Sequence, residues 1–448
     1  MNKIHSLSKI TTLADLDIFS VPPTQLSIDK TYVTEHRPIA TLDERNLIEF
    51  IITPAIDEYI LLRETMLYMK VKVDLVKTGT PNTVTPDEWL KVCPVNNFLH
   101  SLFKTVDLEI NGKSITLNPQ TYAYKAYLET ALGYTRDAQR GYLAAQGYFI
   151  DDNKKEEISI NQNFLIKPGS LPATSSGQGI SVDLMGKLCL DLAQQPKALL
   201  GGMKLKFTLH PNSSAFYLQK DPTLTDITPT IKFESAILYV SKCKVIPEIV
   251  EAHNIALSRA TVKYPISRGH VKSFNVLKNQ SDVMLDNVVI GQIPRRIIVG
   301  LVKDKAFSGD LDENPFNFKH FNLNYLAANV NGIQYPSIAF TPDFPNQLYL
   351  REYLSVYETL NQLNTDASYS VDRFWYDNGN VLYGFNFSND STDDCYSAGY
   401  VNPIKQGTLN LHMKFSTAPT DNINVIVYCE FDNLIEIDAN RNVITDYV

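Results

Sequence analysis

Asn97-Phe98-Leu99-His100 and Asn317-Phe318-Lys319-His320 are two copies of one short pattern, and each runs forward to an Asn-Gly pair, Asn111-Gly112 and Asn331-Gly332. Gly112 follows His100 by 12 positions, as Gly332 follows His320, and the copies stand 220 positions apart in a chain of 448 residues. A repeat of that period is two copies of one domain, far too long for a solenoid unit or a propeller blade. Both Asn-Gly pairs lie between runs of alternating apolar character, Val106 to Leu117 and Tyr325 to Tyr335. Asn-Gly suits a two-residue hairpin because both central residues of that turn need positive φ. Each half therefore places a strand hairpin at the same point.

Alternation spreads outward from these hairpins. Met66 to Val76, Met203 to Leu209 and Ile231 to Val245 alternate in the first half; Arg296 to Val302, Thr408 to Phe415 and Ile423 to Ile437 are strand-like in the second. Period-two patterns rich in Val, Ile, Phe and Tyr predict strands with one face buried. Helical periodicity is scarce and also paired. Tyr122 to Leu132 and Leu348 to Leu363 each follow the hairpin, and each has a proline upstream, Pro119 or Pro345, in a position to open the helix. A third short helix is expected from Pro247 to Ser258, at the junction of the halves. Ile166 to Gly179 and Asn364 to Asn402 read as long polar loops on the rim of a β sandwich. The fold class expected is all-β: two tandem antiparallel sandwiches with a few short inserted helices, an N-terminal arm over 1–20, a first unit over 21–246 and a second over 247–448.

Composition bounds the function. The net charge is −8, and Lys154-Lys155 and Arg295-Arg296 are the longest basic runs, so no basic face for a nucleic acid is legible. Cys93, Cys189, Cys243, Cys395 and Cys429 are scattered, without CxxC or zinc spacing, which fits reduced thiols in a reducing compartment. Asp15 and Asp17 interrupt any signal-peptide core, and Gly291, Pro294, Arg295 and Arg296 break up the most apolar stretch, Asn287 to Val302, so no membrane span is expected. The glycosylation-like triplets at Asn212, Asn279, Asn386 and Asn389 then carry no weight.

Catalytic candidates fall away in turn. His100 and His320 could be metal ligands, but neither has a Cys, Asp or His at ligand spacing, and a structural hydrogen bond within each domain is the preferred reading. Asp151-Asp152, Asp310/Asp312/Glu313 and Asp393-Asp394 are sequence neighbours, where a glycosidase needs carboxylates on two sides of a cleft. The chain contains no P-loop, GxSxG or HExxH. No catalytic, cofactor or metal residue is assigned, and no enzyme is expected.

Four blocks carry a resemblance: FSVPPTQLSIDKTYVTEHRPIATL (Phe19 to Leu42), CPVNNFLHSLFKTVDLEINGKSIT (Cys93 to Thr116), YAYKAYLETALGY (Tyr122 to Tyr134) and NPFNFKHFNLNYLAANVNGIQYP (Asn314 to Pro336). The chain resembles the major capsid proteins of polinton (Maverick) elements and adintovirus-like viruses. The resemblance implies a double jelly roll, two eight-stranded sandwiches side by side. It further implies a homotrimer forming a pseudo-hexagonal capsomer, contacts with neighbouring capsomers in an icosahedral shell, a single-jelly-roll vertex (penton) protein as partner, and a place in the virion. A soluble carbohydrate-binding β sandwich is the alternative, since lectins share the architecture. Within the capsid reading, the arm from Met1 to Ser20 is expected to pack against a neighbouring capsomer. The aromatic residues of Asn364 to Asn402 are expected to contribute to the trimer contact.

Overall fold

A computed structural model describes residues 5–43, 46–79, 82–116, 120–150, 174–175, 178–365, 369–390 and 400–447. Among the described residues, sixteen strands make the main paths of four sheets in two sandwiches, and Glu58–Ile60 and Val443–Thr445 add one short strand to each of two sheets. The first sandwich contains β1 (Ile28–His36), β2 (Ile48–Ile52), β3 (Met66–Lys77), β4 (Phe103–Ile110), β5 (Lys113–Ser114), β6 (Ile180–Lys187), β7 (Leu205–Pro211) and β8 (Ile227–Val245). The second contains β9 (Val262–Val276), β10 (Asp282–Gln292), β11 (Arg296–Lys303), β12 (Leu323–Val330), β13 (Ile333–Phe340), β14 (Leu382–Asn386), β15 (Gln406–Phe415) and β16 (Ile423–Ile437). The sheet orders are β1-β8-β3-β6 and β2-β7-β4-β5 in the first, and β9-β16-β11-β14 and β10-β15-β12-β13 in the second. Adding eight to every label of the first sandwich gives the second, so the duplication holds strand by strand. The first and last long strands pair in each unit, β1 with β8 and β9 with β16, all antiparallel.

Alternation sets which face is buried. Along β3, Leu67, Met69, Val71, Val73 and Leu75 point into the core while the residues between them are half-buried or exposed. Opposite them, Phe50, Leu108 and Phe207 share one register line across β2, β4 and β7 and are fully buried. The two Asn-Gly turns adopt the expected conformation, with φ of +50° and +81° at Asn111 and Gly112 and of +51° and +83° at Asn331 and Gly332. The asparagines do a second job. Asn111 Oδ1 accepts the Lys204 N–H and Asn331 Oδ1 accepts the Thr408 N–H, which ties each hairpin tip to the neighbouring strand.

The three longest helices among the described residues are α1 (Tyr122–Gly133), α2 (Pro247–Leu257) and α3 (Leu350–Thr359). Pro247 opens α2 at its first turn, as expected. Pro345 does not open α3, whose N-cap is Tyr349; Pro119 lies outside the described residues. The reading of Asn364 to Asn402 as a loop also needs correction. Leu382–Asn386 within it is β14, paired with β11 in the second sandwich. Tyr369, Tyr376, Tyr383, Phe385 and Phe387 are buried in the second unit, so most of its aromatic density is core. Phe374 and Tyr400 remain exposed, and Tyr396 lies outside the described residues.

Candidate functional site

The two repeated histidines stand at the same place, just ahead of β4 and β12, but in different surroundings. His100 sits in a single helical turn (Phe98–Ser101), is fully buried, and shares a hydrogen bond of 2.9 Å between Nδ1 and the Tyr122 hydroxyl. Burial lowers its pKa to about 4, so it is neutral at physiological pH. His320 is half-buried, accepts the Asn322 N–H at Nδ1, and stacks on Phe344 with ring centres 4.2 Å apart. Each histidine fastens its own sandwich. Among the described residues, no group of three or more His, Cys, Asp and Glu side chains is placed to hold a metal ion.

The acidic candidates disperse. Lys303 pairs with Glu313 at 2.6 Å and Lys305 with Asp310 at 2.8 Å, on one loop. Asp151-Asp152 and Asp393-Asp394 lie outside the described residues. Arg295-Arg296, the basic pair, is not a surface patch. Arg295 reaches Glu430 and Asp432, each at 2.9 Å, and Arg296 reaches Glu430 at 2.7 Å, with all four side chains buried. Burial works to raise the Glu430 carboxyl, but Arg296 and Arg295 overcome it and hold the pKa below the usual value. Two hollows among the described residues hold roughly 30 Å³ each, about the volume of one water. Cys93, Cys189, Cys243 and Cys429 are free thiols.

What the molecule does build is a seam. Helix α1 lies between the sandwiches and is buried nearly all round, from Tyr122 to Leu132 with only Glu129 half-covered. Tyr127 stacks flat on Phe316 at 4.2 Å and 4°, and Tyr124 packs against Phe307 and Phe316 at 5.5 Å each. Thr121 donates to the Val271 carbonyl of β9. Further along, the Tyr264 hydroxyl donates to the Ala198 carbonyl and accepts the Leu200 N–H, and Tyr447 donates to the Ile115 carbonyl. Side chains of both halves therefore share one hydrophobic cluster, in which Phe316 and Phe318 join the first sandwich's residues, while the second sandwich also keeps a cluster of its own.

Helix α3 holds the matching position in the second sandwich but is covered on one side only. Its inner face carries Glu352, Ser355, Val356 and Thr359; its outer face leaves Leu350 and Leu354 exposed, beside exposed Ile338, Leu348 and Phe374. The arm is also uncovered: Leu7, Ile10, Leu13, Leu16, Ile18, Phe19 and Val21 are all more than 60% exposed. Monomeric proteins rarely leave that much contiguous apolar surface in water. The sequence placed the arm and a helix over Leu348 to Leu363, but did not mark Leu350 and Leu354 as an exposed face. No helix among the described residues is long and apolar enough to cross a membrane.

Two jelly rolls fused by a shared core define the class: this is a double jelly roll. Solved structures carry the same fold. A chain of the Sputnik virophage superposes with a TM-score of 0.67 at 12% identity, over 99% of this chain and 94% of its own. The major capsid protein of Faustovirus gives 0.57 at 10% identity, over 93% and 92%. The mavirus major capsid protein gives 0.56 at 10% identity, over 99% and 97%. An uncharacterized protein of Caenorhabditis elegans is 28% identical over 374 residues, which are 82% of this chain and 85% of that protein. No family model matches the chain.

Proposed function

We propose that this chain is a major capsid protein whose trimers form pseudo-hexagonal capsomers of an icosahedral shell. The observation that carries the proposal is the contrast between α1 and α3. In the first sandwich the inserted helix is covered by the second sandwich of the same chain. In the second sandwich the equivalent helix keeps its outer leucines bare. A ring of three chains alternates first and second units, so the first unit of the next chain covers α3 and closes the ring. Such an obligate contact buries well over ~1,600 Å² in total.

The exposed arm then has a role as a clip onto a neighbouring capsomer. The units are taken as an arm over 1–20, a first jelly roll over 21–246 and a second over 247–448. The four sequence blocks favour a polinton-like placement, with a single-jelly-roll vertex protein completing the shell and the virion as destination. The glycan-binding alternative gains no support from the two small hollows. Light scattering and electron microscopy of the purified chain test the proposal. Stable trimers that close into shells are expected, and a monomer that binds a glycan column and never assembles would overturn it.

A further inference from the structure

At the seam, three charged side chains meet out of water. Lys125 and Glu129 lie one turn apart on α1, and Asp191 opens the short turn Asp191–Gln194. Their side chains are 3%, 11% and 13% exposed. Lys125 Nζ is 2.6 Å from Asp191 Oδ1 and 3.8 Å from Glu129 Oε1. The Gly269 N–H of β9, from the second sandwich, donates to the same Asp191 Oδ1 at 3.1 Å. Glu129 also accepts hydrogen bonds from Gln194 at 2.9 Å and from the Tyr428 hydroxyl at 3.4 Å. Gly269 closes the site at van der Waals distance. A Cβ there would stand 2.7 Å from Glu129 Oε1, 3.0 Å from Lys125 Cε and 3.1 Å from the Tyr428 hydroxyl.

One buried ion pair needs one acid. Here a second acid stands beside the amine, and a backbone N–H is aimed at the first acid's oxygen. We propose that Lys125 and Asp191 condense to an intramolecular isopeptide bond, with Glu129 as the proton carrier. Lys125 rests as an ammonium: burial alone would lower its pKa, but Asp191 beside it outweighs burial. Its proton passes to Asp191 along the 2.6 Å hydrogen bond, leaving a neutral amine and a neutral acid. The Asp191 carbon lies one C–O bond beyond, near the ~3–3.5 Å from which such additions proceed.

Nζ then adds to that carbon. The Gly269 N–H, donating to Oδ1, holds the carboxyl in place for the addition. Protonated Glu129 gives its proton to the departing Oδ1 hydroxyl, which leaves as water, and takes the second proton from nitrogen. Burial raises the Glu129 pKa to about 8, against the opposing pull of Lys125, so this side chain can carry a proton at neutral pH. Ammonium and carboxylate become one amide and one water, with Glu129 regenerated and no oxidant, metal or nucleotide consumed. The bond joins residues 66 positions apart and staples α1 in place at the seam. It gives covalent reinforcement where the described cysteines form no disulfide.

Intact-mass spectrometry of the full chain tests this. The folded protein should weigh one water (about 18 Da) less than its sequence, and a tryptic digest should contain one branched peptide joining Lys125 to Asp191. Lys125→Arg and Glu129→Gln should both return the full mass. Asp191→Asn should lose ammonia instead (about 17 Da), because the leaving group changes. Full mass in the wild-type protein after prolonged incubation would overturn the proposal. So would a loss of water that survives Lys125→Arg, since that is succinimide formation at the aspartate. If Lys125→Arg fails to fold, presence or absence of the branched wild-type peptide decides alone.

Discussion

Helices α1 and α3 follow the same hairpin in the two halves, yet one is buried on every side and the other on one. Tyr124 and Tyr127 of α1 meet the second sandwich, while Leu350 and Leu354 of α3 stay 45% and 41% exposed. The helices differ in what covers them, not in how they form. In this chain the first copy's helix is covered internally, and the second copy's helix keeps exposed leucines. The largest effect should come from attacking the copy that is already covered. Tyr127→Asp places a carboxylate against Phe316 in the seam and should cost about 4 kcal/mol or more, measured by urea denaturation. A loss below about 1 kcal/mol would mean the seam does not hold the halves together.

The two histidines sharpen the same contrast through pH. The folded value of His100, about 4, lies below the ~6.5 of an unfolded histidine, so between these values the unfolded chain binds more protons. The contribution of His100 is complete above pH ~6.5 and is lost as the pH falls towards 4, up to ~3 kcal/mol. His320 is also lowered by burial, though it is less enclosed. His100→Gln should therefore flatten the acid limb of the stability–pH curve more than His320→Gln. Equal slopes for the two variants would show that the copies are equivalent after all.

The hairpin tips should behave alike. Asn111→Ala and Asn331→Ala each put a Cβ residue at positive φ and remove the acceptor for a neighbouring N–H, at a cost of about 1–2 kcal/mol. Gly112→Val and Gly332→Val should cost about as much through strain alone, since open space surrounds both glycines. A several-fold difference between the copies in melting experiments would break the equivalence of the hairpins.

Much of this architecture was legible in the chain, and the reasons it was not legible everywhere are physical. Ile423 to Ile437 and Met66 to Val76 announce themselves because long strands with one buried face keep a strict period of two. Strand β1 does not, since it is an edge strand with nine exposed or half-buried residues and no apolar face inside its own chain. Strand β10 loses its period at a bulge between Leu285 and Val289, where Asn287 has positive φ. Strand β14 has only five residues among polar neighbours, so its aromatics read as a sticky loop. The seam was hidden for a different reason. Lys125, Glu129, Asp191 and Gly269 are ordinary residues in sequence, and only the packing of one sandwich on the other brings them together.

The smallest effect on stability is expected from removing the arm. Deleting residues 1–20 should leave the melting temperature within a degree or two, because the arm's apolar side chains contact little of the chain, yet it should block shell closure. Normal shells from the truncated protein would refute the clip.

The proposed trimer rests most directly on the exposed leucines of α3. Light scattering of the double variant Leu350→Asp/Leu354→Asp, set beside wild type, is the decisive measurement. The wild-type particle should weigh three times the 50.5 kDa chain, and the variant should fall to a folded single chain with a melting temperature lowered by the lost contact. A variant that remains trimeric would show that α3 does not face the neighbouring chain, and the parallel between the two helices would fail.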